Sequence, residues 1–287
     1  MQEKILKLSE IIGNICVLQK KAVSLQSQLI KAMRIVILGQ GNVGTNLHHA
    51  FGQRGIRSEL VNSRADASGR WQTADGNLPD GDVYIYAVTD QALAEVAARV
   101  DKPKALHLHT SGTVPVTVFG PDKPHAGVLY FFQSFSKEAL VDDWSGIPCF
   151  IEGRNIDDVA AIYSLAQCLT SRIYEANQHD RERLHIAGVF ANNYTNLMYR
   201  IAAEILGDTQ IPFEALLPLI DLTAAKVHQL RPKDAQTGPA QRGDEAVMAH
   251  HAEVISNLRF QISDFSGEEL SELYQRLAAL IEKGRNR

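Results

Sequence analysis

The hydrophobic pattern divides the chain into two halves of different character. Ile35, Val36, Ile37 and Leu38 form an unbroken apolar run, the signature of a strand covered on both faces. Val43, Leu47, Ala50 and Phe51 then recur at helical spacing. Ile56 to Val61 reads as a second strand, and residues 65–81 as a polar connection rich in Gly, Asp and Asn. Asp82 to Val88 predicts a third strand, with Thr89-Asp90 capping a helix from Gln91 to Val100. Further strands are expected at Ala105 to His109, Ala126 to Phe132, Pro148 to Ile151 and Ser171 to Ala176, with a helix over Asp157 to Leu169. From His179 onward the periodicity is helical only. The expected architecture is an α/β sheet domain over 33–176 followed by an all-α domain over 177–287, with a looser boundary candidate near 152.

The helical half carries apolar stripes at Leu216, Leu217 and Ile220, and at Leu270, Leu273, Leu277 and Leu280. Ser266 and Glu269 have capping-box spacing before the latter stripe, and Asp244 is placed to cap the helix before it. A stretch of about 110 residues struggles to bury both stripes on itself, so this half is expected to pair with a second copy. Residues 1–32 repeat apolar positions at Leu8, Ile11, Ile15, Leu18, Ala22, Leu25 and Leu29, a heptad seam interrupted at Gly13-Asn14. This segment is either a docking or oligomerising helix, and so a rival source of pairing, or lies upstream of a natural start at Met33.

Composition narrows the function. The 287 residues carry a formal charge of −4 with no basic run interleaved with aromatics, which argues against a nucleic-acid surface. No apolar run approaches a membrane span, and no small-x-small cleavage pattern follows an apolar core. The three cysteines (Cys16, Cys149, Cys168) are far apart and lack metal or redox spacing, as expected of reduced thiols in a cytoplasmic protein. His107/His109 and His250/His251 lack the companions of a metal site, and none is expected.

The strongest chemical signal joins the first strand to its helix. Gly39-Gln40-Gly41-Asn42-Val43-Gly44 is a Gly-x-Gly-x-x-Gly turn between strand and helix, the dinucleotide-binding arrangement. Gly39 permits the turn, Gly41 admits a pyrophosphate to the backbone, and Gly44 lets the helix pack closely. The helix N-terminus adds free N–H groups and a positive dipole end. At the end of the second strand the chain has Asn62-Ser63-Arg64 where an NAD site places an acid. Ser63 and Arg64 suit a 2′-phosphate, so NADP is expected ahead of NAD. Ala87, Val88 and Thr89, and Thr110, Ser111 and Gly112, follow later strands at the same sheet edge and would line the ribose and nicotinamide.

In the helical half, His185, Asn192 and Asn196 fall within roughly 40° of one line on a straight helix at ~100° per residue. His185 is the candidate proton donor, because an imidazole titrates near neutral pH, and the two asparagines would orient substrate. The stripe could instead be an interhelical polar network. A second polar segment, Ala235 to Asp244, offers Gln236, Thr237 and Arg242, the last able to clamp a carboxylate or simply to pair with Asp234 or Asp244. His251, two turns further, is a candidate for the same cleft.

From residue 33 the chain resembles Rossmann-like proteins, provisionally labelled oxidoreductases, that carry a C-terminal helical domain of unknown function (domain of unknown function 2520). The stretches that carry the resemblance are Gly39 to Gly44, His109-Thr-Ser-Gly112, Phe132-Gln-Ser-Phe-Ser136, His185 to Asn193, Gln236-Thr-Gly-Pro239 and Arg242-Gly-Asp244. More distantly the architecture is similar to pyrroline-carboxylate reductase, ketopantoate reductase and the 6-phosphogluconate dehydrogenase superfamily. That resemblance implies hydride transfer between nicotinamide and a C=O or C=N group, with the helical domain dimerising and closing the substrate cleft. One departure matters. The hydroxyacid dehydrogenases use a Lys followed four residues later by Asn, whereas here His185 is followed by Val189. The missing lysine leaves open a dinucleotide-binding sensor without turnover, and more remotely a methyltransferase using the same glycine loop.

Overall fold

The computed structural model describes residues 28–66, 69–207, 209–258 and 265–285. The heptad seam expected in residues 1–32 lies almost wholly outside them. Residues 28–32 are helical, and Ile30 is buried in the core beside the first strand rather than standing apart from the sheet domain.

The chain divides into two compact units, one ending at Val189 and one spanning Phe190–Arg287. The first is built on an eight-stranded sheet of order β3-β2-β1-β4-β5-β6-β7-β8. Its strands are β1 (Ile35–Leu38), β2 (Ser58–Ala65), β3 (Trp71–Gln72), β4 (Val83–Tyr86), β5 (Leu106–His109), β6 (Ala126–Phe131), β7 (Cys149–Gly153) and β8 (Ile173–Glu175). All neighbours run parallel except β2 with β3 and β6 with β7. Helices α1 (Asn42–Gln53), α2 (Asp90–Ala98), α3 (Ile156–Gln167) and α4 (Gln178–Gly188) complete the unit.

The apolar run of β1 is divided between two cores. Ile35 and Ile37 face one with Leu47, Phe51, Leu108 and Leu129, while Val36 and Leu38 face the other with Tyr84, Tyr86, Leu93 and Val128. A strand buried on both faces needs apolar residues at every position, which is why the run shows no alternation.

Two expectations are corrected here. β2 starts later than the apolar run and continues through Asn62-Ser63-Arg64 to Ala65, so the residues expected after the strand are part of it. The cause is β3. Trp71 and Gln72, expected in a structureless connection, pair antiparallel with Ala65 and Asn62 across an irregular register, and a half-exposed strand tolerates polar residues.

The second unit holds α5 (Thr195–Leu206), α6 (Leu217–Lys226), α7 (Pro239–Arg242), α8 (Glu245–Asn257) and α9 (Gly267–Arg285). The expected caps are present. Asp244 accepts from the Val247 N–H at 3.2 Å, and Ser266 and Glu269 exchange hydrogen bonds as a capping box. The single helix expected from His185 to Leu206 is instead α4, a π-helical turn at Val189–Tyr194, and α5.

Candidate functional site

The glycine loop leaves β1 on the carboxyl edge of the sheet. Gly39 has φ +118°, and a Cβ there would stand 2.2 Å from the Ala87 carbonyl oxygen, so β1 and β4 approach too closely for a side chain. A Cβ at Gly44 would lie 1.9 Å from the Gly39 oxygen, which keeps α1 against the turn. Gly41 differs. Nothing lies within 4 Å of a Cβ placed there, so the space over its backbone is open. Gly41 is also the N-cap of α1 and brings no side chain to the first-turn N–H groups, which remain free to meet an anion. Asn46 fixes this helix to the segment after β6, donating to the Ser136 carbonyl and accepting from the Val141 N–H.

Two more expected segments join that edge. Ala87 and Val88 form the wall against Gly39. Thr89 is the N-cap residue of α2, but its hydroxyl makes no capping bond, contrary to expectation. The neighbouring Asp90 instead accepts from Thr113 Oγ1 at 2.5 Å. The loop after β5 is ordered from within, since Ser111 Oγ accepts from the N–H groups of Thr113 and Val114.

His185 meets this loop. It lies on α4, exposed, with Nδ1 3.0 Å from the Tyr130 hydroxyl of β6. A Cβ on Gly112 would fall 2.9 Å from the Tyr130 ring and 3.1 Å from His185, so a glycine is required for the three residues to converge. Four residues before His185, on the same face of α4, Arg181 is fully buried. It pairs with Glu152 of β7 and donates to the carbonyls of Ala176 and Val114. This anchor explains why α4 belongs to the sheet unit although the sequence places it with the helices. The apolar period of α4 is weak, and Arg181 docks it together with the contacts of His185 on Tyr130 and of Gly188 on Phe132.

Beneath the edge, two histidines of β5 are buried and neutral. His107 accepts from the Tyr86 hydroxyl at 2.9 Å and donates Nε2–H to the Lys102 carbonyl, and burial pushes its pKa down to about 4. His109 accepts from the Ser111 N–H at Nδ1, and burial followed by the nearby Arg181 pushes it down to about 3. Both pack on Phe119. They are scaffold beneath the loop rather than acids at its surface.

On β2, Arg64 is exposed and Ser63 half-buried. Arg99, at the end of α2, donates to the Ser63 carbonyl at 2.9 Å and stacks over the Trp71 ring at 4.2 Å. This brace holds the strand that carries both residues.

The other expected groups belong to the second unit. A π-helical turn over Val189–Tyr194, which contains Asn192, interrupts the straight helix on which the line through His185, Asn192 and Asn196 is expected. Asn192 and Asn196 are exposed, and among the described residues neither has a side-chain partner, unlike members of an interhelical polar network. Arg242 is exposed at the end of α7. Asp234 pairs with Arg231 at 3.4 Å and Asp244 caps α8, so neither neutralises Arg242. Gln236 donates to the Thr237 carbonyl and lines a groove of about 520 Å³ with Lys233, Gln241, Leu277 and Leu280. His251 is held by Tyr274, Nδ1 to hydroxyl at 3.0 Å, which ties α8 to α9.

Nothing in the sequence marks Tyr130. In Ala126 to Phe131 it passes as one more strand aromatic, and only its pairing with His185 marks it.

The fold and this edge define a protein of the dinucleotide-binding Rossmann class with a helical C-terminal unit. Residues 147–281 match the family described as Domain of unknown function (DUF2520). A Bacteroides fragilis protein provisionally assigned as an NADP oxidoreductase is 35% identical, with TM-score 0.76 over 88% of this chain and 99% of that one. The chain therefore belongs to this family of Rossmann proteins. Protein TM1727 from Thermotoga maritima, 16% identical, aligns with TM-score 0.66 over 88% of this chain and all of that one. An imine reductase from Myxococcus stipitatus in complex with NADP+, 12% identical, aligns with TM-score 0.55 over 87% of this chain and 92% of that one. These two share the fold. No functionally curated protein matches the chain.

Proposed function

We propose that the protein is an NADP(H)-dependent oxidoreductase acting on a C=O or C=N group of a small polar metabolite. The observation that carries the reading is the contact of His185 with Gly112, on the same sheet edge as the glycine loop. The residues suit the cofactor. Gly41 leaves room over its backbone for a pyrophosphate, the uncapped N-terminus of α1 offers N–H donors, and Ser63 and Arg64 suit a 2′-phosphate. The names of the Bacteroides fragilis and Myxococcus stipitatus proteins agree with NADP. Bound there, the cofactor supplies or accepts a hydride at the nicotinamide C4.

In a reduction, His185 would give its Nε2 proton to the substrate oxygen or nitrogen. It recovers the proton from solvent. Thr110 and Ser111 would hold the cofactor at the same sheet edge. The helical unit's own candidates for substrate binding are Asn192 and Asn196 for polar groups, Arg242 for a carboxylate, and Gln236, Thr237 and His251. That unit also forms a homodimer through its uncovered apolar side chains.

The test is NADPH oxidation across keto acids and cyclic imines. Turnover of at least one is expected, and His185→Ala should lower it about a hundredfold or more with NADPH affinity nearly unchanged. Equal activity in the variant removes His185 from the mechanism. Tight NADPH binding with no turnover on any substrate would favour a sensor, the reading motivated by the absent lysine.

A further inference from the structure

Tyr130 sits where β6 meets α4. Its neighbours on the strand, Leu129 and Phe131, point into one core, and Tyr130 points to the other face. Its ring is caged by Phe132 at 6.1 Å, Phe150 at 6.5 Å and His185 at 6.2 Å. The absent Cβ of Gly112 lets that ring lie against the loop after β5. Phe132 is itself fixed, because a Cβ on Gly188 of α4 would stand 2.6 Å from its ring. The hydroxyl is thus held by strand, loop and helix together, 3.0 Å from His185 Nδ1. Burial, and then the nearby Asp90, push the phenol up to about 12, so it keeps its proton at neutral pH.

A phenol hydroxyl both donates and accepts. Donating to a bare Nδ1 of a neutral imidazole, it leaves the ring hydrogen on Nε2. Beside an imidazolium it accepts from Nδ1–H, and Nε2–H is again the hydrogen left over. A carboxylate partner would accept only and would stabilise the charged ring. A backbone carbonyl would fix the opposite neutral tautomer.

We propose that Tyr130 is the positioning residue for His185: its hydroxyl engages Nδ1 in both protonation states and makes Nε2 the nitrogen that exchanges protons with substrate. The inference rests on the assignment of His185 as proton donor. The contact is nonetheless testable apart from it.

The experiment uses the full chain with ¹⁵N-labelled histidine, recording long-range ¹H–¹⁵N spectra above the histidine titration range, with His185→Gln to identify the His185 signals. In the unsubstituted protein His185 should carry its hydrogen on Nε2, with Nδ1 bare. Tyr130→Phe keeps the ring and its packing but should give mixed tautomers. Against a ketone or imine found to turn over, it should lower kcat about tenfold and leave the KM for NADPH unchanged. A hydrogen on Nδ1 in the unsubstituted protein overturns the proposal, and that spectrum decides even where the phenylalanine variant fails to fold. An unchanged tautomer in Tyr130→Phe overturns it as well. Full turnover by His185→Ala would instead overturn the proton-donor assignment, while the tautomer spectra report on the Tyr130 contact alone.

Discussion

The carbonyl oxygen of Gly39 occupies the place where Gly44 would carry a Cβ, only 1.9 Å from it, whereas Gly41 between them faces open space. Two glycines of one motif thus meet different surroundings, one packed against backbone and one open. Gly44→Ala should destabilise the fold by about 1–3 kcal/mol, since the obstacle is backbone and cannot swing aside. That is a fall in Tm of about 5 °C. Gly41→Ala has an ordinary φ of −83° and no clash, so its Tm should stay close to that of the unsubstituted protein. Its NADPH affinity should nevertheless drop tenfold or more, because the new methyl fills the space over the backbone. Thermal melts and fluorescence titration of NADPH check both. Equal loss of stability in the two variants would contradict the division of roles.

Cofactor preference should depend on Arg64. A charge-assisted hydrogen bond to the 2′-phosphate contributes about 1.5–3 kcal/mol, or roughly ten- to hundredfold in affinity. Arg64→Ala should lose that factor for NADP(H) and leave NAD(H) binding unchanged, which calorimetric titration of both cofactors measures. Equal or tighter NADH binding by the unsubstituted protein would remove the preference altogether.

What could be read in the sequence follows from how local each signal is. The glycine turn, the buried strands β1, β4, β5 and β6, and the Asp244 and Ser266/Glu269 caps are fixed by residues within a few positions of one another. They appear in the structure close to where they were expected. The rest depends on partners distant in sequence. β2 continues through polar residues because Trp71 and Gln72 return to pair with it. α4 joins the sheet unit because Arg181 meets Glu152 and Val114. The π turn at Val189–Tyr194 leaves no mark in an apolar period, so the sequence reads one continuous helix there. Tyr130 acquires meaning only from His185, 55 positions away.

Acid should destabilise the protein well above the carboxylate range. His107 and His109 are held neutral in the folded state, with pKa values near 4 and 3, and both regain an ordinary histidine pKa on unfolding. Between those values and about pH 6.5 the unfolded chain binds more protons, so stability rises with pH and is lost as pH falls. Between pH 6 and pH 5 the excess approaches two protons, a slope of about 2.5 kcal/mol per pH unit. Urea unfolding at several pH values in this window measures it. A flat profile would mean that both rings are charged in the folded protein, and half the slope that one of them is.

The second unit leaves much of its apolar surface uncovered in the single chain. Leu219 and Leu222 of α6 are 62% and 51% exposed, and Leu280 of α9 is 63% exposed. None of the residues of α5, α6 or α8 is buried, although each helix carries apolar positions. Scattered exposed leucines need no explanation, but a whole helical unit with so little of its apolar surface covered calls for a partner. A second copy is the economical one, since a two-fold axis pairs the same surface with itself. The heptad seam before Ile30 is the rival, and two measurements separate them. A chain lacking residues 1–27 keeps Ile30 in the core and should remain a dimer by light scattering. The full chain with Leu219→Asp and Leu222→Asp should become a monomer, with the sheet unit's NADPH binding intact. The reverse pair of results, a monomer on truncation and a dimer with both aspartates, would transfer the interface to the N-terminal segment.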